Sequence, residues 1–132
     1  MKTLITLLFA RLVKKRNNKW ISNPLETQAK TFNKLLLKGT NTEFGRDHNF
    51  STIKNYEDFK NQVPIRDYEG LKPYVDKVVK GEKNILWPGQ PLYFAKTSGT
   101  TSGAKYIPIT KESIKTHINS CLLYTSPSPR DQ

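Results

Sequence analysis

The stretch Tyr93-Phe94-Ala95-Lys96-Thr97-Ser98-Gly99-Thr100-Thr101-Ser102-Gly103-Ala104-Lys105-Tyr106-Ile107-Pro108-Ile109-Thr110 decides how this chain is to be read. Its middle nine residues, 97–105, hold five hydroxyls, two glycines and a lysine. Glycine lets the backbone approach a ligand closely and aims successive N–H groups at it. Hydroxyls donate to phosphate oxygens, and a lysine adds a point charge. Ser98, Gly99, Thr100, Thr101, Gly103 and Lys105 are therefore the candidate residues for cradling a polyphosphate. Apolar runs flank them: residues 92–95 read as one strand and residues 106–109 as a second, with Pro108 calling for an edge or a strand end. The spacing is not that of a Walker loop. Three residues, not four, separate Gly99 from Gly103, Lys105 comes two positions later, and Tyr106 replaces the hydroxyl that would hold magnesium. A Walker loop opens a helix; this one runs from strand to strand and lacks the helix-dipole contribution. On composition alone, a polar hairpin turn without a ligand is the alternative.

Upstream of the loop the pattern is helical. Leu4, Leu7, Leu8, Phe9, Leu12 and Val13 make an apolar stripe at helical spacing. Asn23-Pro24 is a helix start, and Gly39 closes that helix. On it, Glu26, Lys30, Lys34 and Lys38 recur every four residues, and only the first pair attracts. Ala29, Phe32, Leu35, Leu36 and Leu37 are expected to form its buried side. Residues 42–49 read as a loop. Residues 55–62 form a second helical signal stopped by Pro64, and Asp67 caps a third helix that ends at Gly81 and contains Pro73. Trp87-Pro88-Gly89-Gln90-Pro91 is a turn cluster. Beyond the second strand, Thr110 caps a last helix expected over residues 111–120. The fold class is α/β, a helical N-terminal half feeding two strands around one polar loop.

Composition bounds the function. The chain has 132 residues, a net charge of +11 and 36% apolar residues, enough for one folded domain. One cysteine, Cys121, excludes a disulfide framework, and two isolated histidines, His48 and His117, do not make a metal site. No apolar run approaches the ~20 residues of a membrane-spanning helix. Residues 1–42 hold nine basic residues and one acid, Glu26, so the basic excess is an N-terminal property. Without aromatic interleaving it reads as a solvated helical face, and nucleic acid is not an expected partner. The alternative is a small basic protein that binds nucleic acid or an anionic membrane surface through residues 1–42. No secretory signal is expected, because only Lys2 precedes the short apolar core and no small-residue cleavage site follows it.

The 93–110 stretch resembles the first nucleotide-binding motif of the acyl-adenylate-forming enzymes. It is closest to their auxin-responsive branch, the Gretchen Hagen three acyl acid amido synthetases. Thr42-Glu43-Phe44-Gly45-Arg46-Asp47-His48, Val63-Pro64-Ile65-Arg66-Asp67-Tyr68-Glu69, Lys80-Gly81-Glu82 and Leu86-Trp87-Pro88-Gly89 resemble segments of that family in the same order. The resemblance covers about residues 1–120. It implies the N-terminal part of an adenylate-forming large domain in a cytoplasmic ligase. That ligase would activate a carboxylic acid with ATP and Mg²⁺ and pass the acyl group to an amino acid. It also implies that Ser98, Gly99, Thr100, Thr101, Gly103 and Lys105 hold ATP phosphates, that none of them is a nucleophile or base, and that no protein side chains form a metal site.

The family's later motifs have no counterpart here, so the chain alone is expected to be inactive. Residues 121–131 resemble one reading frame of a transposase sequencing adapter. Residues 121–132 are accordingly expected to be a foreign, disordered tail, with Cys121 not a natural residue.

Overall fold

The computed structural model describes residues 11–15, 18, 21–98 and 103–125. The N-terminal apolar stripe therefore lies largely outside the described residues. Of its members, Leu12 is exposed and Val13 half-buried, within a helical run over residues 11–15. Contacts divide the chain after Leu37 into two compact units.

Helix α1 covers Pro24–Gly39. Its first attractive pair forms as its spacing dictates, with Lys30 Nζ 2.5 Å from Glu26 Oε1. Its apolar side is narrower than the sequence suggests. Leu36 is buried and Phe32 half-buried, whereas Ala29, Leu35 and Leu37 are exposed. Consecutive residues turn about 100° around a helix, so three adjacent leucines cannot share one face.

The segment from Thr42 to Asn49, expected as a loop, contains helix α2, Glu43–Asp47. Thr42 makes it. This nearly fully buried side chain donates to the Gly39 carbonyl at 2.7 Å and accepts the Gly45 N–H at 3.0 Å. The other free N–H groups of the helix start find distant partners: Glu43 donates to the Asn84 carbonyl at 2.8 Å and Phe44 to the Ile85 carbonyl at 3.0 Å. Gly45 is required here, because a Cβ on it would stand 2.0 Å from the Gly39 carbonyl oxygen. A short 3-10 turn, Phe50–Thr52, follows.

Helices α3, Tyr56–Gln62, and α4, Tyr68–Val79, begin at the expected caps. Asn55 accepts the Asp58 N–H and Asp67 the Gly70 N–H, each at 2.9 Å. Pro73 sits inside α4 and removes one backbone bond without moving the helix start. Val75 and Val78 of α4 are buried, as are Ile53 and Ile85. Beside this small core lies an aromatic cluster. Phe44 stacks on His48 at 4.1 Å and meets Tyr74 edge-on at 5.2 Å and Phe50 at 5.9 Å. His48 is buried and structural, its Nδ1 2.7 Å from the Phe44 carbonyl, which can only accept. Lys77 reaches from α4 to Glu43 Oε1 at 2.5 Å, which holds its ammonium above the usual 10.5.

The turn cluster is organised by Asn84. Its backbone lies at φ +58° and its side chain accepts the Gly89 N–H at 2.7 Å. Strands β1, Tyr93–Thr97, and β2, Lys105–Ile109, then pair antiparallel, with Tyr93 opposite Ile109 and Thr97 opposite Lys105. Helix α5, Lys111–Thr125, starts at a reciprocal cap in which Ser113 N–H donates to Thr110 Oγ1 and Thr110 N–H to Ser113 Oγ. The break expected at Cys121 does not occur: the helix continues through Thr125, since residues 121–125 contain no helix breaker. Residues 126–132 lie outside the described residues. Among the described residues the architecture is helix-rich with one small two-stranded sheet, the helical N-terminal part of an α/β protein. No helix among them is long and apolar enough to cross a membrane.

Candidate functional site

The two strands meet the sequence reading of residues 92–110 closely. They close a loop of residues 98–104, with Thr97 and Lys105 facing one another as its base pair. The loop runs from strand to strand and opens no helix, so the dipole of a helix N-terminus is not aimed into it.

Of the six residues assigned to the loop, three are described. Ser98 is exposed at the end of β1. Gly103 holds φ +82°, the left-handed region, and among the described residues an added Cβ there would meet no atom within 4 Å. The backbone conformation itself favours glycine at this position. Lys105 is half-buried as the first residue of β2. Gly99, Thr100 and Thr101 lie outside the described residues.

Around the loop exit the structure adds a residue to which sequence reasoning gave no role. The Tyr106 N–H donates to the Tyr68 hydroxyl at 2.8 Å. Lys105 Nζ sits 5.3 Å from the centre of the same Tyr68 ring. Tyr68 precedes these residues by more than 35 positions, and no motif spacing links them. Its sequence signals were the Asp67 cap, which fixes where α4 begins, and its place in the 63–69 segment that resembles the family; neither pointed to the loop. Because Tyr106 donates outward, alternation in an antiparallel ladder turns the Pro108 nitrogen outward too, so this proline costs no bond to β1. Phe94 braces the other side of the exit, edge-on to Tyr106 at 6.3 Å.

The electrostatics favour an anion. Residues 92–110 contain Lys96 and Lys105 and no acid. Among the described residues, no ion pair neutralises Lys105. Elsewhere the basic residues of the N-terminal part are partly matched. Lys30 is paired with Glu26, while Lys38 bonds Glu112 and lies 5.9 Å from the Trp87 ring. Arg11, Lys14 and Lys15 are exposed. His117 is exposed on α5. A donor set of hydroxyls, backbone N–H groups and one ammonium has the chemistry that suits phosphate oxygens.

Comparison with known proteins bears on the same segments. Residues 13–128 match the family described as GH3 family N-terminal domain. Indole-3-acetic acid-amido synthetase GH3.15 of Arabidopsis thaliana is 30% identical over 105 residues, 78% of this chain and 18% of the relative. Indole-3-acetic acid-amido synthetase GH3.2 of the same plant is 29% identical over 94 residues, 70% of this chain and 17% of the relative. Jasmonoyl–L-amino acid synthetase JAR4 of Nicotiana attenuata is 29% identical over 87 residues, covering 64% and 15%. The chain thus spans less than a fifth of the length of these relatives.

Proposed function

The chain belongs to the GH3 family, as part of its N-terminal domain, and from that premise we propose that its 98–104 hairpin loop binds the phosphates of ATP in an acyl acid amido synthetase. The observation that carries the reading is the hairpin itself: a hydroxyl- and glycine-rich loop, free of acids, closed opposite Thr97 by a lysine that has no ion pair among the described residues. The relatives' names supply the reaction class, the joining of an acid to an amino acid. In the whole protein, a carboxylate would attack the α-phosphorus of ATP to give an acyl-adenylate and pyrophosphate. An amino acid amine would then displace AMP to form the amide.

Negative charge builds on the pyrophosphate as it leaves. Lys105 opposes that charge, the hydroxyls of Ser98, Thr100 and Thr101 donate to its oxygens, and Gly99 and Gly103 let backbone N–H groups come close. Magnesium, when it accompanies the nucleotide, would supply further neutralisation. None of these residues moves a proton or forms a covalent bond. The acid and amine subsites are assigned to the remainder of a GH3 protein. This chain by itself is therefore expected to bind nucleotide without catalysing ATP–pyrophosphate exchange.

The test is binding. The chain is titrated with magnesium ATP alongside the Ser98→Ala/Lys105→Ala double variant. The double variant should lose at least about tenfold in affinity, since each charge-assisted bond contributes about 1.5–3 kcal/mol. Equal affinity for the two proteins refutes the assignment. So does binding that survives deletion of residues 92–132 and weakens steeply with salt, which would instead place the activity in residues 1–42.

A further inference from the structure

Tyr68 meets the hairpin exit with two separate parts of one side chain. Its oxygen accepts the Tyr106 N–H at 2.8 Å, and its ring faces the Lys105 ammonium at 5.3 Å. The two groups it engages belong to consecutive residues of β2, so one holds the strand and the other holds the cation that the strand carries. The Asp67 cap places Tyr68 at the first position of α4, and the half-buried phenol is fixed from that side.

The choice of an aromatic ring matters. A carboxylate in this place would pair with Lys105 and spend its charge. A ring attracts an ammonium through its quadrupole, weakly enough to yield to a phosphate, and leaves the charge intact. Lysine otherwise carries large rotamer freedom, which a ligand must suppress on binding. An ammonium already held beside the loop avoids most of that loss.

We propose that Tyr68 is the positioning residue of the phosphate hairpin: it holds the Lys105 side chain at the base of the loop and clamps the strand from which Lys105 projects. The inference rests on the phosphate reading of the hairpin. Tyr68 itself touches no phosphate in this account.

The test is a double-mutant cycle on the whole 132-residue chain, titrated by calorimetry with magnesium ATP and with magnesium tripolyphosphate. The proteins are wild type, Tyr68→Leu, Tyr68→Phe, Lys105→Ala and Tyr68→Leu/Lys105→Ala. Tyr68→Leu should weaken both ligands about three- to tenfold, the range a lost cation–π hold allows. The same change should cost nothing once Lys105 is alanine. Tyr68→Phe keeps the ring and should fall between wild type and Tyr68→Leu. Proton NMR gives a readout that does not depend on affinity. The ring should shift the Lys105 ε-methylene signal upfield in wild type and Tyr68→Phe, and not in Tyr68→Leu.

A Tyr68→Leu loss that persists without Lys105 marks general damage to the hairpin and overturns the inference. So does an unshifted ε-methylene signal in wild type, or wild-type affinity in Tyr68→Leu while Lys105→Ala binds weakly. In these three outcomes the phosphate reading stands. No binding by wild type, or no effect of Lys105→Ala, refutes the phosphate reading and the inference with it.

Discussion

Gly45→Ala should destabilise this protein, although a glycine-to-alanine change in a helix ordinarily stabilises by about 0.5–1 kcal/mol. The new Cβ would stand 2.0 Å from the Gly39 carbonyl oxygen and 2.8 Å from its carbon. These are backbone atoms, and they are held twice, by Thr42 N–H at 2.9 Å and by Thr42 Oγ1 at 2.7 Å. They cannot swing aside as a side-chain end would. Relief requires the Gly39–Thr42 turn and α2 to separate by at least 1.0 Å, because real Cβ atoms essentially never come within 3.0 Å of a neighbour. Overpacking of this kind costs about 1–3 kcal/mol, and each strained hydrogen bond adds about 0.5–1.5 kcal/mol. After the gain in helix propensity, a net loss of about 2–3 kcal/mol remains. With a urea slope of about 1–3 kcal/mol per molar, the unfolding midpoint followed by circular dichroism should fall by about 1–2 M. Gly70→Ala is the comparison. The nearest atoms its Cβ would meet are side-chain carbons of Arg66, from 3.2 Å outward, so its midpoint should move by less than about 0.5 M. A Gly45→Ala protein as stable as wild type would refute the reasoning and show that the turn has room to shift.

Two further outcomes follow from the same part of the molecule. Thr42→Val keeps the shape but leaves the Gly45 N–H without its partner and the Gly39 carbonyl with only one of its two donors; urea unfolding should show a loss of about 2–4 kcal/mol, mostly recovered in Thr42→Ser. Burial, and after it the hydrogen bond to Asp47, raises the Tyr74 phenol above its ordinary 10.0. The unfolded phenol therefore ionises first, and the stability Tyr74 contributes is full below pH 10 and lost as pH rises through the folded value. Stability measured from pH 9 to 11 should decline less steeply in Tyr74→Phe, and an unchanged slope would remove Tyr74 from the alkaline transition.

Much of the helical and strand layout is written locally. Asn55 and Asp67 announce their helices because a cap is a contact over three residues. The two strands and the loop between them are likewise visible in adjacent residues. The elements that sequence reasoning missed depend on distant partners. Helix α2 is only five residues long and shows no periodicity, and two of its N–H groups are satisfied by carbonyls about 40 positions away. Leu35 and Leu37 are as apolar as Leu36, and only the turn of the helix separates their exposure. Within the candidate site, the glycine, hydroxyl and lysine composition was legible, and Gly103 takes the left-handed backbone that a tight turn asks of a glycine. Tyr68 was not legible, because its pairing with Lys105 and Tyr106 exists only once α4 and β2 are side by side.

The hydrogen bond from Tyr106 to Tyr68 also gives the hairpin a direction of growth. A third strand beside β2 would need outward donors at alternate positions. Tyr106 has already given its N–H to Tyr68, and Pro108 has none to give. That flank can offer carbonyls but cannot run a ladder. Any larger sheet built on this hairpin must extend past β1, and self-association through strand pairing must start there as well.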